Sequence, residues 1–176
     1  VFNGEILVIG QAEETGQGVV LTSSDGTSWS RSPTFAYNLN PESGIEMTGL
    51  LDDLATTAVW QPEGMASTKS SLVMVGDTYG NAVVVWQSTD SESWRVADPL
   101  PVFDTGDEVT DVVAWVHGFV AVGFDGGGEP QIWTSKEGTK WASQDTQLEG
   151  RSLLAAADDD VVVVVANSDG GATVWK

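Results

Sequence analysis

The sequence predicts an all-β fold assembled from repeated, four-stranded antiparallel sheets. Three observations carry that prediction: a turn motif present three times, a glycine-closed apolar strand ahead of each copy, and a near absence of helical periodicity. Valine dominates the apolar residues, in runs such as Val83-Val84-Val85 and Val161 to Val165. Its stiff, branched side chain packs well on a pleated surface and loses freedom in a helix. The best helical candidate, Met47 to Ala58, is short and rich in threonine.

The turn motif reads Ser23-Ser24-Asp25-Gly26-Thr27-Ser28-Trp29, then Ser88-Thr89-Asp90-Ser91-Glu92-Ser93-Trp94, then Ser135-Lys136-Glu137-Gly138-Thr139-Lys140-Trp141. Each copy is Ser-x-acid-(Gly/Ser)-x-x-Trp, and each follows an apolar stretch ending at Leu21, Trp86 or Trp133. The glycine-closed strands are Ile6 to Gly10, Leu72 to Gly76 and Phe119 to Gly123. A further strand is expected upstream, around Leu54 to Trp60 and Val109 to Val116. A fourth copy begins with Val161 to Val165 and Ala172 to Trp175.

Each full repeat therefore holds an inner strand, the glycine-closed strand, a strand running to the motif, and an outer strand after the motif Trp. The expected units are 1–34 (partial), 48–98, 108–145 and 151–176 (partial), about three and a half repeats. Spacings of 65 and 47 residues between motif tryptophans fit, the longer one absorbing a loop from Ser32 to Thr48. Four-stranded sheets at such a period are the signature of β-propeller blades. Three and a half blades leave a ring open, so the expectation includes further blades from a longer polypeptide or a second copy of the chain.

The motif has a physical reading. Its acid accepts backbone N–H groups as in an Asx-turn, its Ser hydroxyl caps another, its glycine takes positive φ, and its Trp covers the hairpin. Ser23, Asp25, Gly26, Trp29, Ser88, Asp90, Trp94, Ser135, Glu137, Gly138 and Trp141 are thus read as structural staples. The motif resembles the Asp-box, or BNR repeat, of sialidase-like β-propellers. It is one residue shorter than the usual pattern, with Glu137 in place of Asp and Ser91 in place of Gly. The resemblance implies that the boxes lie on the rim opposite a ligand face, in a secreted or cell-surface protein.

Sialidase chemistry does not carry over. It needs three arginines on the substrate carboxylate, a Tyr–Glu nucleophile pair and an Asp acid. Arg31 and Arg95 follow motif tryptophans on outer strands, only Arg151 begins an inner strand, and Tyr37 and Tyr79 have no matched partners. His117 reads as a turn residue, and Gly126-Gly127-Gly128 lacks the lysine of a phosphate loop. With no cysteine and one histidine, no zinc set exists. Asp104-x-x-Asp107-Glu108 and Asp158-Asp159-Asp160 offer oxygens of the kind calcium takes, without ordered ligand spacing. Solvated acidic loops are the plainer reading, and calcium stays open.

Acidic residues number 26 against 7 basic, a formal charge of −19, which excludes nucleic acid as a natural partner. No stretch approaches the ~20 apolar residues of a membrane-spanning helix. The loops expected to build the ligand face carry Glu13, Glu14, Glu42, Glu46, Asp77, Asp104, Asp107, Glu108, Asp125 and Glu129, with Tyr79 beside them and no Lys or Arg. The expected function is a non-catalytic extracellular binding or scaffold module for a protein or carbohydrate. A glycoside hydrolase domain with carboxylates partly outside this chain is the alternative.

Overall fold

A computed structural model describes residues 1–11, 13, 18–31, 60–78, 83–97, 103–145, 150, 152–158, 162–168 and 171–175. The described residues form fourteen strands and no helix. Sheet 1 holds β1 (Ile6–Gln11), β2 (Gly18–Ser23) and β3 (Ser30–Arg31). Sheet 2 holds β4 (Trp60–Ser67), β5 (Leu72–Thr78), β6 (Val83–Ser88) and β7 (Arg95–Val96). Sheet 3 repeats it with β8 (Glu108–Trp115), β9 (Gly118–Phe124), β10 (Pro130–Ser135) and β11 (Ala142–Gln144). Sheet 4 holds β12 (Ser152–Ala157), β13 (Val162–Ser168) and β14 (Gly171–Trp175). Every pairing is antiparallel between chain neighbours, so each sheet is a meander.

The sheets stack face to face in chain order, and alternation along the second strand of each one sets the stack. In β5, Leu72 and Met74 join Phe2, Leu7, Ile9 and Val20 of the first sheet's layer, while Val73 and Val75 join Phe119, Ala121 and Trp133 of sheet 3. In β9, Phe119 and Ala121 face back, and Val120 and Val122 pack with Val164 of sheet 4. Positions one and three of the apolar run thus face the preceding sheet, and positions two and four the following one. A strand buried on both faces must be apolar at every position, which is why these runs show no polar alternation.

The closing glycines have a steric cause. A Cβ on Gly76 would stand 2.1 Å from the Gln61 carbonyl oxygen, and one on Gly123 would stand 1.8 Å from that of Glu108. In both sheets the first strand bulges beside this glycine, between Pro62 and Gly64 in β4 and between Val109 and Asp111 in β8. The bulge presses a carbonyl onto the neighbouring Cα, so only glycine fits.

The first strand of sheet 2 corrects the sequence expectation. It runs Trp60–Ser67, later than the stretch around Leu54 to Trp60, and residues 47–59, including the helical candidate, lie outside the described residues. Pro62 and Gly64 read as turn punctuation, yet β4 is a sheet edge and they flank a bulge, where both are tolerated. Among the described residues no helix is long and apolar enough to cross a membrane.

Candidate functional site

All three box motifs sit in the turn between the third and fourth strands of their sheets. In the first, Gly26 N–H donates to Ser23 Oγ at 2.8 Å, and Asp25 Oδ1 accepts from Thr27 N–H at 2.8 Å and Ser28 N–H at 2.7 Å. The second repeats this with Ser91 N–H on Ser88 Oγ at 3.0 Å, and Glu92 and Ser93 N–H on Asp90 Oδ1 at 3.0 and 2.7 Å. The N–H groups of Ser28 and Thr27 hold the Asp25 carboxyl well below the usual range, and that of Ser93 leads the same effect on Asp90.

The third box keeps Ser135 Oγ as acceptor for Gly138 N–H at 2.8 Å. Its Glu137 is tied by its backbone instead: the carbonyl accepts from Gln87 Nε2 of sheet 2 at 2.6 Å. Trp94 and Trp141 donate Nε1–H to the Ser91 and Gly138 carbonyls, each at 3.2 Å, and both rings are buried. Ser91 takes φ 67° where the other copies have Gly26 at 74° and Gly138 at 79°. Its hydroxyl donates to Glu5 Oε2 at 2.9 Å, an anchor that accompanies the left-handed backbone.

The opposite ends of the sheets carry the carboxylates. Glu13, Asp104, Glu108 and Glu129 are exposed there, whereas Asp107 and Asp125 are occupied by backbone. Asp107 is buried, with Oδ2 accepting from Asp104 N–H at 2.8 Å and Oδ1 from Gly126 N–H at 3.0 Å. It ties the turn ahead of β8 to the β9–β10 turn. Asp125 Oδ1 accepts from Gly127 and Glu129 N–H at 2.8 and 2.9 Å, closing that second turn. Glu14, Tyr79, Glu42 and Glu46 lie outside the described residues.

Asp77 differs from all of these. It ends β5 half-buried, and its Oδ1 is enclosed with no hydrogen-bond partner. Burial first, then the charges of Glu63 and Glu108, push its carboxyl up to about 7. Glu63 is raised as well, by burial and then by Glu108. Asp77 and Glu108 were legible as acidic loop residues; Glu63 was not, because it is the extra residue of the β4 bulge. Aligning the closing glycines finds it, since Pro62 pairs with Gly76 as Val109 pairs with Gly123.

The described lysines, Lys69, Lys136 and Lys140, all lie in turns at the box end. A groove of about 720 Å³ opens there, lined by Trp115, His117, Lys136 and Gln144 among others. His117 occupies the β8–β9 turn with its ring edge-on to Trp115, centroids 4.7 Å apart. Arg31 and Arg95 lie on the last strands of their sheets, and Arg151 is outside the described residues. Among the described residues no group of three or more His, Asp or Glu side chains is placed to hold a metal ion. Compared with known proteins, the chain matches no family model and no curated sequence.

Proposed function

We propose that this chain is a stretch of an Asp-box β-propeller, extracellular or at the cell surface, that acts as a non-catalytic binding module. Four successive antiparallel meanders stacked in chain order, with the box turns at one end, support the architecture. The observation that carries the function is the acidic end. Glu13, Glu63, Asp77, Asp104, Glu108 and Glu129 gather at that end of the sheets, and every described lysine lies at the other. A surface of one sign steers cationic groups toward it, so the partner class is a basic protein surface or a polar glycan presenting cations.

The test is titration of the chain with a lysine-rich peptide, its glutamate counterpart and a neutral oligosaccharide, at low and high salt. The lysine peptide should bind, weaken with salt, and weaken again in a Glu63→Gln/Glu108→Gln variant. Binding indifferent to that double variant sinks the reading. One observation favours a second reading, a glycoside hydrolase: Asp77 keeps its proton near neutrality beside two further carboxyl groups, the charge arrangement of a general acid and its partner. Hydrolysis of aryl glycosides that disappears in Asp77→Asn would support it, and inertness toward the whole series would remove it.

A further inference from the structure

The face of sheet 1 turned away from sheet 2 is apolar and open. Ile6 is 37 % exposed, Val8 44 % and Trp29 42 %. These are positions one and three of the glycine-closed strand and the motif Trp. Their counterparts in sheet 2, Leu72, Met74 and Trp94, are 1 %, 0 % and 4 % exposed, and in sheet 3 Phe119, Ala121 and Trp141 are 0 %, 0 % and 7 %. The same three sites are thus covered twice within this molecule, each time by another sheet of the same repeat. The covering surface comes from positions two and four of that sheet's glycine-closed strand: Leu7 and Ile9 over sheet 2, Val73 and Val75 over sheet 3.

Sheet 4 holds the matching half at the other end of the stack. In β13, Val163 and Val165 pair with Ala156 and Leu154 of β12, the register that Val120 and Val122 hold against Val113 and Asp111 in sheet 3. They therefore occupy positions two and four. We infer that the open face of sheet 1, around Ile6, Val8 and Trp29, takes the β12–β14 sheet of a second copy of this chain, head to tail.

One chain carries both halves of the contact, and they are different surfaces, so the interface is heterologous: it propagates or closes into a ring according to its rotation. A charge of −19 on each copy opposes the approach, so association is expected to strengthen with salt.

The test uses the full chain in 0.05 and 0.5 M NaCl (about 14 and 4 Å of Debye length). Light scattering should show mass rising with concentration beyond the monomer, more so in high salt. Trp29→Asp, at a side chain already exposed within one copy, should raise the dissociation constant at least about 10-fold. Because the chain has no cysteine, single Val8→Cys and Val165→Cys chains can be mixed and treated with a short bis-maleimide. Cross-linked dimers should form in the mixture and not from Val8→Cys alone. A monomer at every concentration and salt overturns the inference, as does assembly indifferent to Trp29→Asp. Efficient Val8→Cys self-coupling overturns it too, since it would mean that two sheet 1 faces meet each other.

Discussion

Sheets 1 and 3 are written in nearly the same sequence and live in different surroundings. Both have a glycine-closed strand, a Ser-x-acid-Gly turn and a motif Trp. Sheet 3 is packed on both faces, so Trp141 is buried with Val73, Val85 and Phe119, and its Nε1–H is satisfied by Gly138. Sheet 1 is packed on one face, so Trp29 stands 42 % exposed. The same contrast runs through the glycines. A Cβ on Gly138 would stand 2.3 Å from Val73 Cγ2, while on Gly26 the nearest atom would be 3.5 Å away. The difference teaches that the repeat encodes the hairpin locally, and that neighbouring sheets convert its residues from permitted to required.

Matched substitutions put numbers on that contrast. Trp141→Ala should cost about 3–5 kcal/mol by the loss of a buried aromatic, whereas Trp29→Ala should cost about 1 kcal/mol or less; chemical denaturation of dilute protein measures both. Equal costs would break the comparison, because Trp29 would then have to be covered. Gly123→Ala drives a methyl into a backbone carbonyl and should cost at least about 3 kcal/mol, while Gly10→Ala, with nothing within 4 Å of the new Cβ, should stay within about 0.5 kcal/mol. Gly138→Ala combines positive φ with the Val73 clash and should lose about 2–3 kcal/mol in the same assay, against about 1 kcal/mol for Gly26→Ala, where φ alone is at fault.

The smallest effect is electrostatic. Asp77 is raised to about 7 in the fold, so its contribution is full below the unfolded-state value near 4 and is lost as pH rises through about 7. Asp77→Asn should therefore match the parent near pH 4 and exceed it near pH 8. The gain should be about 1 kcal/mol, reduced from the full shift because the side chain is partly exposed, or about 2–4 °C in Tm. Asp25 and Asp90 have the opposite sign: their depressed values add stability that is lost as pH falls. Thermal melts of the parent and Asp77→Asn across pH 4–8 separate the two contributions. A variant that tracks the parent at every pH would mean that Asp77 is ionised and solvated.

Much of the fold was legible because its signals are local. Ser, acid and Trp at fixed spacing announce each hairpin, and unbroken valine runs announce strands covered on both sides. The first strand of sheet 2 was hidden by Pro62 and Gly64, whose usual meaning is a turn and whose role here is to flank a bulge at a sheet edge. At the acidic end, Asp107 and Glu108 look alike in sequence. One is consumed by Gly126 N–H, a partner 19 residues away in another turn, and the other is exposed. Only the meeting of two turns separates a staple from an open carboxylate, and no spacing rule in the chain encodes that meeting.

The bulges in β4 and β8 place one residue, Glu63 or Thr110, outside the pairing ladder beside each closing glycine. The glycine and the pressing carbonyl are indispensable; the side chain of the extra residue is not part of that lock. One repeat holds a carboxylate there, and the other a hydroxyl that donates to the Val122 carbonyl at 3.3 Å. The architecture thus supplies an interchangeable socket at a regular interval, set among the acidic turns. New specificities can be written into positions 63 and 110 one residue at a time, while the scaffold around them stays unchanged.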